Sequence, residues 1–112
     1  MKYKMYGITN CDTVKKARQA LEKKKIDYDF VDFKKTAPTV EDLKRWEKVF
    51  GDLPANKKGP TFRKIKDEFE AASRSEQINL LLKNSSAIKR PILESGSKVL
   101  CFGFDEDLYK KL

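Results

Sequence analysis

The chain has 112 residues, 39% of them apolar, with seven Phe, four Tyr and one Trp. That is enough for one domain around a single core, and too apolar for a disordered tail, although 38% of the residues are charged. Lys and Arg outnumber Asp and Glu by 25 to 17, giving a net charge of +8, and histidine is absent. The missing histidine excludes Cys–His and Ser–His catalysis. The two cysteines, Cys11 and Cys101, are too few and too far apart for a disulfide framework, and they argue against a zinc site. The opening residues MKYKMYGI hold no apolar run of signal-peptide length and no later stretch is suited to span a membrane, so a soluble, cytoplasmic protein is expected. The lysines are spread over every segment and no motif that reads RNA or DNA accompanies them. The charge therefore points to an anionic small ligand, or only to solubility, rather than to nucleic acid.

In chain order, residues 2–8 alternate lysine with Tyr3, Met5 and Tyr6 and predict a strand that feeds a loop. From Asp12 to Lys24, Val14, Ala17, Ala20 and Leu21 recur at helical spacing. Residues 27–33 predict a second strand. Ala37-Pro38-Thr39 breaks the pattern, and Thr39 with Asp42 starts a helix whose apolar stripe is Leu43, Trp46, Val49 and Phe50, ended by Gly51. Residues 52–61, with two prolines and a glycine, are expected to form a surface loop, followed by a short helix over Lys64 to Ala71.

Ser73 and Glu76 match a capping box ahead of Ile78, Leu81 and Leu82, and Asn84-Ser85-Ser86 closes that helix. A hairpin follows, Ile92 to Glu94, a Ser95-Gly96-Ser97 turn, and Lys98 to Phe102. The final DEDLYKKL places acids before lysines, which suits the dipole of a closing helix. The order β-α-β, helices, β-β-α predicts an α/β chain with a four-stranded mixed sheet and helices on both faces, the thioredoxin-type order. One domain over residues 1–112 is expected, with a helical insertion at about 38–86.

Cys11 stands at the exit of the first strand, where it or Asn10 would cap the first helix. There, unpaired amides and the helix dipole favour a thiolate, and Lys15 and Lys16 follow within a turn. Asp12 opposes that effect, and an inert buried cysteine fits the same residues. Cys101, inside Val99-Leu100-Cys101-Phe102, reads as a filler of an apolar strand. Arg90-Pro91 offers an X-Pro bond of the kind that can be cis and a planar donor for an oxyanion or carboxylate, or else an exposed loop arginine. Lys57, Lys58 and Arg63 around Gly59-Pro60-Thr61 read as a gate over an anionic ligand or as a solvated basic loop.

Three stretches, GITNCDTVKKA, NKKGPTFRK and LLLKNSSAIKRPIL, resemble the arsenate reductase-like (ArsC/Spx) family, and within it the YffB-like branch of glutathione-dependent thiol reductases. The resemblance runs over essentially the whole chain. It implies a thioredoxin-like fold with Cys11 as nucleophile, Pro91 as a cis-proline facing it and Arg90 as the anion-binding arginine. It also implies no bound cofactor, with glutathione as co-substrate held by Asn10, Thr13, Lys57, Arg90 and Pro91, and glutaredoxin as a further partner.

Of the family's three arginines only Arg90 is present; the others fall near Asn56, with Lys57 beside it, and near Phe102. A lysine does not replace the bidentate fork of an arginine. Val14 stands where a CxxC pair would have its second cysteine, so a disulfide switch in this loop is impossible. The expected activity is a monothiol thiol–disulfide exchange on an anionic or disulfide substrate, by a monomer that binds neither nucleic acid nor membrane. Arsenate reduction coupled to glutathione and glutaredoxin, and a Spx-like regulator of RNA polymerase, are the alternatives.

Overall fold

A computed structural model describes residues 2–96 and 98–112 of the chain. Two compact units emerge, one formed by the chain up to Thr36 together with Arg90 onward, the other by Ala37–Lys89.

The first unit is built from β1 (Tyr3–Gly7), α1 (Asp12–Lys23), β2 (Tyr28–Asp32) and, after the second unit, β3 (Ile92–Ser95), β4 (Lys98–Phe102) and α5 (Glu106–Lys110). Its four strands lie in the order β2-β1-β3-β4. β1 and β2 are parallel, whereas β1–β3 and β3–β4 are antiparallel, so the sheet is mixed. The parallel pair needs a crossover, and α1 provides it. Together, the βαβ and ββα halves form the thioredoxin-like arrangement that the sequence predicts.

Register explains the core. Met5 pairs with Phe30 on one side and Leu93 on the other, and Leu93 pairs with Cys101. Residues in one such row point to one face of a sheet. That face meets Val14, Ala17 and Leu21 of α1 and Tyr109 of α5, all buried with Met5, Leu93 and Cys101 in one cluster. Ala20, predicted for the buried stripe, is only half-buried at its margin. Arg18, on the helix flank, lies 4.2 Å over the Phe30 ring and donates to the Tyr28 hydroxyl at 2.9 Å, which in turn donates to Glu22. Of the predicted hairpin turn, Ser95 is the last residue of β3, Gly96 takes a φ of 62°, and Ser97 lies outside the described residues.

The second unit holds α2 (Val40–Phe50), α3 (Pro60–Ala71), α4 (Arg74–Lys83) and a 3-10 turn at Ser85–Ala87. Thr39 and Asp42 exchange both bonds of a capping box at the start of α2. At the start of α4 the Ser73 hydroxyl accepts from the Glu76 amide.

Three sequence readings need correction here. Leu43 and Trp46 are buried, but Val49 and Phe50 are 56% and 39% exposed. The stripe ends a turn early, and the Lys89 ammonium, 5.5 Å over the Phe50 ring, covers what an apolar neighbour would have covered. Residues 52–61 are no surface loop throughout, because Leu53, Pro54 and Ala55 are buried. Ala55 bridges Ile88, and the carbonyl of Pro54 accepts from Lys89 at 2.7 Å. Finally, α3 starts at Pro60 rather than Lys64, since proline at the first helical position gives up no hydrogen bond that the helix needs. Among the described residues no helix is long and apolar enough to cross a membrane.

Candidate active site

Gly7 ends β1 and decides how closely α1 can approach it. A methyl group on Gly7 would come within 2.9 Å of Val14 Cγ2. Only a bare Cα lets the first turn of the helix settle against the strand end, and this sets where Cys11 stands. Ile8 is buried, and Thr9 and Asn10 form an exposed turn before the helix. Cys11 itself is the N-cap, with an extended backbone (φ −123°, ψ 123°), and Asp12 opens α1.

The thiol is half-buried and packs against the edge of the core cluster. Burial alone pushes the thiol up. Against it act the Val14 amide, a hydrogen bond and the charge of the Arg90 guanidinium, and the Thr13 amide; these prevail, and Cys11 lies below the ordinary thiol value. The sulfur closes no capping hydrogen bond of its own, as befits a weak acceptor thiol. The donors aimed at it gain full strength only when the proton leaves. Thr13 and Val14 are the second and third residues of the helix, the positions whose amides a cap ordinarily serves.

Arg90 is half-buried and is followed by Pro91, which is fully buried, through a cis peptide bond. The Pro91 carbonyl accepts from the Gly103 amide at 2.8 Å, which fixes the start of β3 against the end of β4. Of the predicted site residues, the structure brings Cys11, Thr13 and Arg90 together. Asn10 is exposed in the turn before the cap. Lys57 belongs to the second unit, at the exposed tip of a turn closed by the Gly59 amide donating to the Asn56 carbonyl at 3.0 Å. Phe102, where the resemblance has an arginine, is half-buried and uncharged.

One contribution escaped the sequence reading, the amide of Val14. The hydrogen bond from the Val14 amide favours the thiolate more than any other single interaction at the sulfur, and the capping rule for the third helical position would have found it. The positive charge that acts on the thiol is Arg90, far along the chain, rather than Lys15 or Lys16 in the helix. Cys101 is buried, its Sγ donates to the Gly103 carbonyl at 3.1 Å, and burial holds its thiol above the ordinary value. Both cysteines are free, and among the described residues no group of His, Cys, Asp or Glu converges to hold a metal ion.

Residues 6–112 match the ArsC family. The solved structure of the YffB (PA3664) protein is 40% identical, covers 97% of this chain and 96% of its own, and superposes with a TM-score of 0.85. An arsenate reductase (ArsC) related protein of Brucella melitensis is 39% identical over 99% of this chain and 93% of its own, with a TM-score of 0.73. A Haemophilus influenzae protein described as uncharacterized is 33% identical over 95% of this chain and 94% of its own length. With a family match over nearly its whole length, the chain belongs to the ArsC family.

Proposed function

We propose that the protein is a monothiol oxidoreductase in which Cys11 exchanges thiols with a disulfide substrate and glutathione completes the cycle. The observation that carries this reading is the Cys11 sulfur at a helix N-cap, held below the ordinary thiol value by two amides and the Arg90 guanidinium. A thiolate is the attacking species in exchange, and a thiol with pKa near ambient pH attacks fastest.

In the first step the Cys11 thiolate attacks one sulfur of the substrate. Its S–S bond breaks, a new S–S bond to Cys11 forms, and the second substrate thiolate leaves. Glutathione thiolate then attacks the Cys11 sulfur, releases the remaining substrate thiolate and leaves a Cys11–glutathione disulfide. A second glutathione removes the first as glutathione disulfide and restores the Cys11 thiolate. Two electrons pass from two glutathiones to one disulfide. Val14 in place of a second cysteine leaves no resolving thiol in this loop, which supports an outside thiol for the second step.

Arg90 and the amides of Thr13 and Val14 stabilise the thiolate both as nucleophile and as leaving group. Arg90 also offers its fork to a glutathione carboxylate; the parts given to Pro91 and Asn10 rest on the sequence resemblance. The role of Lys57 rests on the sequence resemblance alone; a Lys57→Ala variant with an unchanged KM for glutathione would remove it.

The test is intact mass after incubation with oxidised glutathione at neutral pH. One glutathione adduct is expected, absent in Cys11→Ser; an unmodified wild-type protein would refute the reading. Arsenate reduction is the second reading, favoured by the likeness to the Brucella protein. With one arginine at the sulfur the oxyanion has few bidentate partners, so arsenate turnover with glutathione and glutaredoxin is expected to be far slower than disulfide exchange.

A further inference from the structure

α1 and α5 enclose a groove of about 360 Å³ built from the stretch of α1 beyond its first turn, whereas Cys11 precedes the helix. Lys16, Ala20, Lys23 and Lys24 line one side. These positions, four, seven and eight residues along from the first, share one helix face. The opposite wall is Phe104 and Tyr109, whose rings meet edge to face at 5.0 Å. Ala20, short and half-buried, leaves the depth of the groove open.

The charge of the rim is one-sided. Glu106 is its only acid and pairs with Lys110 at 3.7 Å. The Lys24 ammonium donates to the carbonyls of Lys110 and Leu112, which ties the end of α1 to α5 and engages its donors while leaving its charge at the rim. Among the described residues Lys16 and Lys23 have no ion pair. Lysine stems also widen the apolar walls while their heads stay in water.

Size selects the class of ligand. Small-molecule sites run to about 300–1,000 Å³, whereas a stable protein interface needs roughly 800 Å² from each partner. We infer that this groove binds a free carboxylate with an apolar body, of the medium-chain acyl type. The chain lies on Ala20 and Phe104, above the buried Tyr109, and the headgroup lies at the Lys23 end. The site is independent of the exchange chemistry at Cys11 and stands or falls without it.

The experiment is an amide NMR titration of the whole protein with decanoate below its micelle concentration, run beside decanol and vesicles of anionic phospholipid. Saturable shifts centred on Ala20, Phe104 and Tyr109 are expected with decanoate, and at least tenfold weaker binding with decanol. Lys23→Gln, at an exposed position, should weaken decanoate at least fivefold and Lys16→Gln less, while Ala20→Phe fills the groove and abolishes binding. Absent or scattered shifts, equal affinity for decanol, shifts with vesicles alone, or wild-type affinity in Lys23→Gln would each overturn the inference. If Ala20→Phe fails to fold, the lysine variants still decide it.

Discussion

Cys11 and Cys101 belong to the same unit and touch the same apolar cluster, yet their surroundings drive the two thiols in opposite directions. Burial disfavours the thiolate at both. At Cys11 the amides of Val14 and Thr13 and the Arg90 guanidinium outweigh burial. At Cys101 burial dominates, the Asp105 amide opposes it, and the Asp105 carboxylate adds to it, so the proton stays. The sulfur that donates to the Gly103 carbonyl is a thiol, in keeping with that state. What separates the two thiols here is how many helix-start amides reach the sulfur and whether the charged group beside it is the Arg90 cation or the Asp105 carboxylate. Burial alone does not make the distinction.

The strongest way to break this comparison is to exchange the roles. Cys11→Ser should abolish glutathione adduct formation and thiol-exchange activity, while Cys101→Ala should keep both; intact mass and a disulfide-exchange assay read the result. An adduct that persists in Cys11→Ser and disappears in Cys101→Ala would invert the account. Next in size is Arg90→Met. Losing the hydrogen bond and the charge should raise the Cys11 midpoint toward the ~8.5 of a free thiol and slow alkylation at pH 6.5 severalfold. The sign follows from the lowered value: the thiolate fraction is high above the midpoint and falls as pH drops through it. Arg90→Lys should recover only part of the effect, because an ammonium keeps the charge but not the fork.

Smaller effects come from the supports of each sulfur. Gly7→Ala should destabilise the fold by roughly 1–3 kcal/mol through overpacking on Val14, and Val14→Ala should partly relieve it in a double-mutant cycle by chemical denaturation. Additive effects would show that the close approach is not what fixes the first turn of α1. On the side of Cys101, the Tyr109 hydroxyl is buried with no hydrogen-bond partner among the described residues, and burial pushes its phenol up. Tyr109→Phe should therefore raise stability by about 1 kcal/mol, read as a higher denaturation midpoint. A loss of stability would mean that the hydroxyl has a role in the core.

The part of the site that could be read in the sequence was local. Cys11 at a strand exit before an amphipathic helix already implied a cap, and Arg90-Pro91 marked the entrance to β3. What stayed hidden depended on distant pairing. Leu53-Pro54-Ala55 looks like loop composition and is buried because Ile88 and Lys89 bond back to it. Val49 and Phe50 continue an apolar period but emerge at the end of α2, where a lysine covers the aromatic ring. Arg90 was named for the site by the family resemblance and not by local pattern, since it reaches the sulfur from far along the chain.

The most direct test of the account is the rate of Cys11 alkylation by iodoacetamide as a function of pH, followed by mass on the folded protein. The account predicts a single midpoint clearly below the ~8.5 of a free thiol, with Cys101 unmodified over the same range. A midpoint at or above that value, or equal reaction at both cysteines, would contradict it.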